Sequence, residues 1–223
     1  MHGSAYKGDA IPGCSDLDLK LFLDEQAFTE YGQLPLAVGM AIQRDLAQID
    51  PAPFQYIQSY ARGPHPQPDY VDLVPGAYHL LVGRLPFAEA TAAQLHRSAC
   101  NALSALSPYP AYIAHAFLEH GGGKLERAVR FACTDVWPTL NHIVTLQQGE
   151  GTRGWRLPKR QVMALLAPEG ELARTIHAFY ASVVAYYQQP PSVEPGLATL
   201  ANAVAFLTAA RGWWDAHGQD MAK

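Results

Sequence analysis

The sequence predicts an α+β protein in two parts, a small mixed-sheet α/β domain over residues 1–86 and an all-α helical domain over residues 87–223. Three observations predict it. Leu17, Leu19, Leu21 and Leu23 alternate with Asp16, Asp18 and Lys20, the period of a strand with one apolar face. A second short apolar run, 54–60, follows Pro51 and Pro53, and a third, 77–83, ends at Arg84-Leu85-Pro86. Beyond Pro86 the texture becomes helical throughout, with Ser107-Pro108, Gly121-Gly122-Gly123, Gly149-Glu150-Gly151, Pro168 and Pro190-Pro191 as separators.

Taken in order, Gly3-Ser4 forms a small-residue turn and the acidic strand follows about a dozen residues later. The run 36–49 reads as a helix with Leu36, Met40, Leu46 and Ile49 toward one side. Residues 62–68 form a loop, because Pro64, Pro66 and Pro68 each remove a backbone donor. Helices are predicted over 88–106, 109–120, 124–148, 158–167, 171–188 and 195–214. No internal repeat is present.

Hydrophobic residues make up 49% of the 223 and charged residues 16%, which is ample material for a core. A formal net charge of −4 argues against broad nucleic-acid binding, which needs a basic face. Cys14, Cys100 and Cys133 are odd in number and lack metal-ligand spacing, so no disulfide framework is predicted. Cys14 is expected to be exposed. No leader and no apolar run of membrane-spanning length is read, and a cytoplasmic chain without a membrane partner is expected.

The chemistry concentrates at the N-terminus, in HGSAYKGDAIPGCSDLDLKLFL. Asp16 and Asp18 stand two strand positions apart, about 6.6 Å between Cα atoms, which lets both carboxylates lean on one hard cation. Two unpaired carboxylates on a half-buried face are costly, and a metal offsets that cost.

This segment resembles the nucleotidyltransferase superfamily, whose signature is a Gly-Ser turn followed by an acidic-x-acidic strand. The resemblance implies metal-dependent transfer of a nucleoside monophosphate from a triphosphate, here AMP from ATP, to an acceptor hydroxyl. It implies that Gly3 and Ser4 lie against the triphosphate, with Ser15 counted among the nucleotide-binding residues. It further implies that Asp16 and Asp18 ligate Mg²⁺, two ions in the family. Gly3 would let backbone N–H groups approach phosphate oxygens and Ser4 would add a hydroxyl donor. A strand and a helix normally precede the turn; only Met1 and His2 do here, so the sheet's first strand is expected to be missing, with poor solubility or partner-dependent folding as the expected consequence. A third carboxylate is implied on a neighbouring strand. The run 54–60 resembles that strand but carries glutamines, so Asp72, flanked by Val71, Leu73 and Val74, is the choice over Asp50 and Asp69, with a turn before Pro75-Gly76 as its alternative.

The second half resembles the C-terminal helical domain of aminoglycoside nucleotidyltransferases, in which a long helix ends in a Gly-containing turn and a Pro-Lys pair opens a short helix. Pro158-Lys159 matches that pair, and the resemblance implies that Lys159 contacts nucleotide phosphates in a cleft between the domains. A solvated lysine after a helix-starting proline is the alternative. The expected partners are therefore a nucleoside triphosphate and a small hydroxylated acceptor, with no nucleic acid. A catalytically inactive or antitoxin-like binding module is the second expectation. His120-Gly121-Gly122-Gly123-Lys124 lacks phosphate-loop spacing and reads as a helix–helix turn. The nine histidines show no zinc pattern. Trp155 reads as packing, and Arg127 and Arg130 as partners of phosphate or of Glu126 and Asp135.

Overall fold

In the computed structural model all residues are described except 66–70, 72, 111, 112, 114–123, 150, 191, 222 and 223. The fold is mixed α+β and mostly helical, with one small parallel sheet and a helical C-terminal region. It divides into two compact units, Met1–Ala90 and Thr91–Lys223.

The first unit is built around two strands. β1 (Leu17–Phe22) pairs in parallel with β2 (Ile57–Arg62), with Asp18 beside Gln58 and Lys20 beside Tyr60. A parallel pair needs a crossover, supplied here by the chain that includes α2 (Leu36–Leu46). On the far side of β1, His2 forms single antiparallel bridges to both Asp18 and Tyr78. His2 N–H donates to Asp18 O at 3.1 Å, and His79 N–H donates to Met1 O at 2.8 Å. One rung of backbone thus lies where the resemblance places a first strand. The Gly-Ser turn opens a short helix, α1 (Gly3–Lys7), which Gly8 ends in the left-handed conformation.

Several expectations for this unit need correction. The apolar run 77–83 forms no strand beyond the Tyr78 bridge, and Leu80, Leu81 and Val82 are exposed. The second strand begins at Ile57 rather than at residue 54. The leucine face of β1 is only half-buried, as is its acidic face, because a two-stranded sheet is thinly covered on both sides. Nor does α2 bury any residue; Leu36, Val38 and Met40 are all exposed. Cys14 is buried rather than exposed, and with Ile11 and Leu73 it makes up the buried apolar set among the unit's described residues.

The second unit is a helical bundle. α3 (Ala92–Ser104) starts at a capping box in which Thr91 Oγ1 accepts from Gln94 N–H at 3.2 Å and Gln94 Oε1 accepts from Thr91 N–H at 2.8 Å. α4 (Leu125–Gln148) ends at Gly149 in the left-handed region. Two short helices follow, α5 (Arg153–Arg156) and α6 (Lys159–Met163), so the predicted helix at 158–167 is only five residues long. Then come α7 (Glu171–Tyr187) and α8 (Val193–Met221). Phe179, Phe206, Leu207, Ile143, Val136 and Val129 are fully buried where α4, α7 and α8 pack together. Gly196 of α8 lies so close to α4 that a Cβ there would come 2.6 Å from Leu125 Cδ2.

α8 also corrects the expectation that no apolar run reaches spanning length. It has 29 residues, with an 18-residue window of mean hydropathy 1.3, and is long and apolar enough to cross a membrane. Its Leu200, Ala203, Phe206, Leu207 and Ala210 are spent on the bundle core, the behaviour of a central helix in a globular unit. Most of the predicted helix at 109–120 (residues 111, 112 and 114–120), the Gly121–Gly123 turn and Asp72 fall outside the described residues.

Candidate active site

The structure brings the Gly-Ser element and the acidic strand into direct contact. Gly3 has a φ of +67°, a region that side-chain-bearing residues rarely enter, and a Cβ at Gly3 would run into Asp18 Oδ2. Only glycine lets the first turn of α1 close on the Asp18 carboxylate. Here two independent constraints select the same residue.

Asp16 immediately precedes β1 and Asp18 lies within it, at alternating positions and half-buried. Ser15 fixes the approach to the strand. Its Oγ accepts from Ile11 N–H at 2.9 Å, its own N–H donates to Ile11 O at 2.9 Å, and its carbonyl accepts from Gln55 N–H at 2.9 Å. The Ser15 hydroxyl therefore braces a turn, whatever else it does. Ser4 O accepts from Asp9 N–H at 3.2 Å, so Ser4 anchors the end of α1.

Four residues that sequence reasoning passed over share this neighbourhood: His2, Lys20, Gln58 and Tyr60. In register, Gln58 stands beside Asp18 and Tyr60 beside Lys20, on the face that carries the carboxylates. Gln58 Nε2 donates to the Tyr60 hydroxyl. Burial raises the Tyr60 pKa, and the Asp18 and Asp16 carboxylates raise it further, so the phenol lies in the field of both acids. His2 is pushed down to about 4, chiefly by burial, with Lys20, the Met1 ammonium and Lys7 adding in the same direction. Its Nε2 is buried without a hydrogen-bond partner. A backbone pairing that reaches from residue 2 to residues 18 and 78 leaves no trace in local periodicity, which is why His2 could not be found from the sequence.

Two carboxylates are what the described residues offer to a metal. Among them no cluster of three or more His, Cys, Asp or Glu side chains is placed to hold an ion. Mg²⁺ is commonly held by one or two carboxylates with substrate phosphates and water completing its octahedron, so Asp16 and Asp18 fit that ion in company with a phosphate.

In the second unit, Lys159 opens α6, and its Nζ lies 5.6 Å from the centre of the Trp137 ring. Trp155 is a packing residue, with its Nε1 donating to Thr145 Oγ1 at 3.2 Å and its ring edge-on to His142. Arg130 pairs with Glu126 at 2.8 Å, and Arg127 lies 5.0 Å from the Phe131 ring centre. A cavity of about 310 Å³ beside α3 and α4 is lined by Leu106, Asp135, Pro138, Thr139 and His142, among others. His142 Nδ1 is buried without a partner, and burial lowers the imidazole pKa to about 4. This cavity holds no pair of carboxylates.

No protein-family model, curated protein or solved structure matches this chain.

Proposed function

We propose that the first unit is a metal-dependent nucleotidyltransferase that moves AMP from ATP to a hydroxyl of a small molecule. The observation that carries this reading is the closure of Gly3 onto Asp18, which brings the Gly-Ser turn against one of the two carboxylates. Bound Mg²⁺, held by Asp16 and Asp18, would neutralise charge on the phosphate oxygens. The chain's own residues then position and deprotonate. Backbone N–H groups at Gly3 and the Ser4 hydroxyl hold phosphate, and a carboxylate takes the acceptor proton. The cytoplasm, where ATP and Mg²⁺ are both plentiful, suits this chemistry. An aminoglycoside-like acceptor is the analogue suggested by the helical half, and fold analogy does not decide it.

A second reading, a nucleotide-binding module without turnover, is favoured by Gln58 standing where a strand neighbour of Asp18 would supply a third acid. Calorimetry with ATP and Mg²⁺ tests the shared premise. We expect binding that requires Mg²⁺ and falls at least about tenfold in Asp16→Asn/Asp18→Asn, the loss of charge-assisted contacts to the ion. Metal-independent binding would overturn the transferase reading, and no binding would overturn both. Release of pyrophosphate from bound ATP separates the first from the second.

A further inference from the structure

We propose that the cavity beside α3 and α4 binds a short aliphatic diamine, with one nitrogen at Asp135 and Thr134 and the other at His142. Its described lining residues all belong to the second unit, so the site stands independently of the nucleotidyl-transfer reading.

The polar groups come from one helix. Thr134, Asp135, Pro138, Thr139 and His142 all line the cavity, at spacings that put them along one side of α4. Pro138 lies inside that helix and has no N–H. The Thr134 carbonyl, four residues earlier, therefore lacks the donor that an α-helix normally supplies. A helical carbonyl points toward the residue four places on. Thr134 and Pro138 both border the cavity, so the open acceptor turns toward it. Asp135 adds a carboxylate next to that carbonyl. A carboxylate has about four acceptor sites, so it can take a ligand N–H alongside a protein partner.

Two turns further on, His142 Nδ1 is buried with no hydrogen-bond partner among the described residues. Its ring stands edge-on to Trp155 with 5.2 Å between centres, and Trp155 Nε1 is itself bonded to Thr145. The imidazole is thus held in place. Burial lowers its pKa to about 4, so at neutral pH it is uncharged and one ring nitrogen carries a lone pair.

The facing wall is apolar and fixed. Ala105, Leu106 and Pro110 supply it. Arg211 of α8 donates to Ser104 O at 3.1 Å and to Leu106 O at 3.5 Å, which ties down the end of α3. Its charge is met by Asp215 at 2.9 Å. Ser107 Oγ accepts from Tyr109 N–H at 3.3 Å and closes the turn beyond. The walls therefore stand before any ligand arrives, around a space of about 310 Å³.

These groups select the occupant. A carboxylate, an open carbonyl and a buried lone pair favour a molecule that donates and carries positive charge. An anion would meet Asp135, and a hydrocarbon would leave the acceptors unmet. From Asp135 to His142 the helix rises about 10.5 Å. A short methylene chain with a nitrogen at each end spans that interval once a hydrogen bond is added at each end. Its methylenes then lie against Leu106 and Pro110.

The test is calorimetry of the full chain with 1,5-diaminopentane, and with pentylamine and 1-pentanol as truncated probes. Salt at about 0.15 M screens attraction to the chain's general negative charge. We expect one diamine to bind per chain, pentylamine to bind about fivefold more weakly for want of one hydrogen bond, and 1-pentanol not to bind detectably. Asp135→Asn should weaken the diamine at least about tenfold, as for loss of a charge-assisted contact. His142→Phe keeps a ring against Trp155. It should weaken the diamine about fivefold and leave pentylamine within about twofold. Helical ellipticity checks that each variant is folded, and the three probes on the wild type decide the matter if one is not. No diamine binding, equal binding of diamine and pentylamine, or diamine binding that both folded variants leave unchanged would each overturn the proposal.

Discussion

The two units solve opposite problems. Thr91–Lys223 buries large side chains on three long helices, and Phe179, Val129, Val136, Ile143 and Phe206 are among those fully removed from solvent. Met1–Ala90 buries Ile11, Cys14 and Leu73 among its described residues, leaves α2 exposed, and gathers Asp16 and Asp18, the left-handed Gly3 and the orphaned His2 nitrogen. Dense packing and half-buried polar groups thus fall in different units. A close-packed interior excludes water and polar groups, whereas a site for phosphate and metal needs backbone and carboxylates left within reach.

The sharpest way to break this contrast is to hollow out the second unit. Phe206→Ala deletes a fully buried ring between α8 and its neighbours, at a cost of about 3–5 kcal/mol. Helical ellipticity followed through a urea titration should show an early loss of most of the signal. A shift worth less than about 1 kcal/mol would mean that the bundle collapses around the gap and is less tightly packed than its burial implies.

Acid should strike the second unit next. His142 is neutral and buried, with its folded-state pKa near 4 against about 6.5 when unfolded. Between those values the unfolded chain binds more protons, so stability rises with pH and is lost as pH falls from about 6.5 toward 4. The shift corresponds to roughly 3 kcal/mol as an upper bound. Melting temperature measured across pH 7 to 4 should fall for the wild type and fall less for His142→Leu. Equal slopes would remove His142 from the acid response. His2 titrates in the same direction in the first unit, so spectroscopic probes specific to each unit separate the two.

Legibility followed the same division. The long helices α4, α7 and α8 could be read because apolar residues recur at helical spacing and Gly or Pro punctuates their ends. In the first unit the pattern misled. The run 77–83 is apolar enough for a strand, but His2 pairs with it only at Tyr78, and a strand needs a partner along its length. The alternation around Asp16 and Asp18 did place Asp18 on β1 and Asp16 at its start. Tyr60 and Gln58 joined them only through the parallel register, a long-range fact with no local signature. Contact between Gly3 and Asp18 was likewise invisible, since spacing alone does not say which atoms meet.

A smaller effect tests that contact. Gly3→Ala demands a left-handed residue with a side chain, a strain of order 1–3 kcal/mol, and drives its methyl into Asp18 Oδ2. The carboxylate must move. We expect Mg²⁺-dependent ATP binding to weaken at least about tenfold, equivalent to 1.4 kcal/mol, with the helical ellipticity of the second unit unchanged. Unchanged binding would show that Asp18 does not need its present position, and would remove the observation on which the transferase reading stands.

The smallest expected effect bears on the first unit's open face. Met40 sits in α2 at 46% exposure, and Leu36 and Val38 are also open to solvent. Met40→Gln exchanges one flexible, helix-compatible side chain for another of similar length, so if this face meets only water the stability change should lie within about 0.5 kcal/mol. Sedimentation of the wild type and the variant over a range of concentrations gives the second readout. A chain whose α2 face is free should sediment identically in both forms. A concentration-dependent species in the wild type that Met40→Gln removes would mean that a second copy covers the face, and the thin core of the first unit would then be completed by association. The contrast between the units would become one between a core closed within the chain and a core closed between chains.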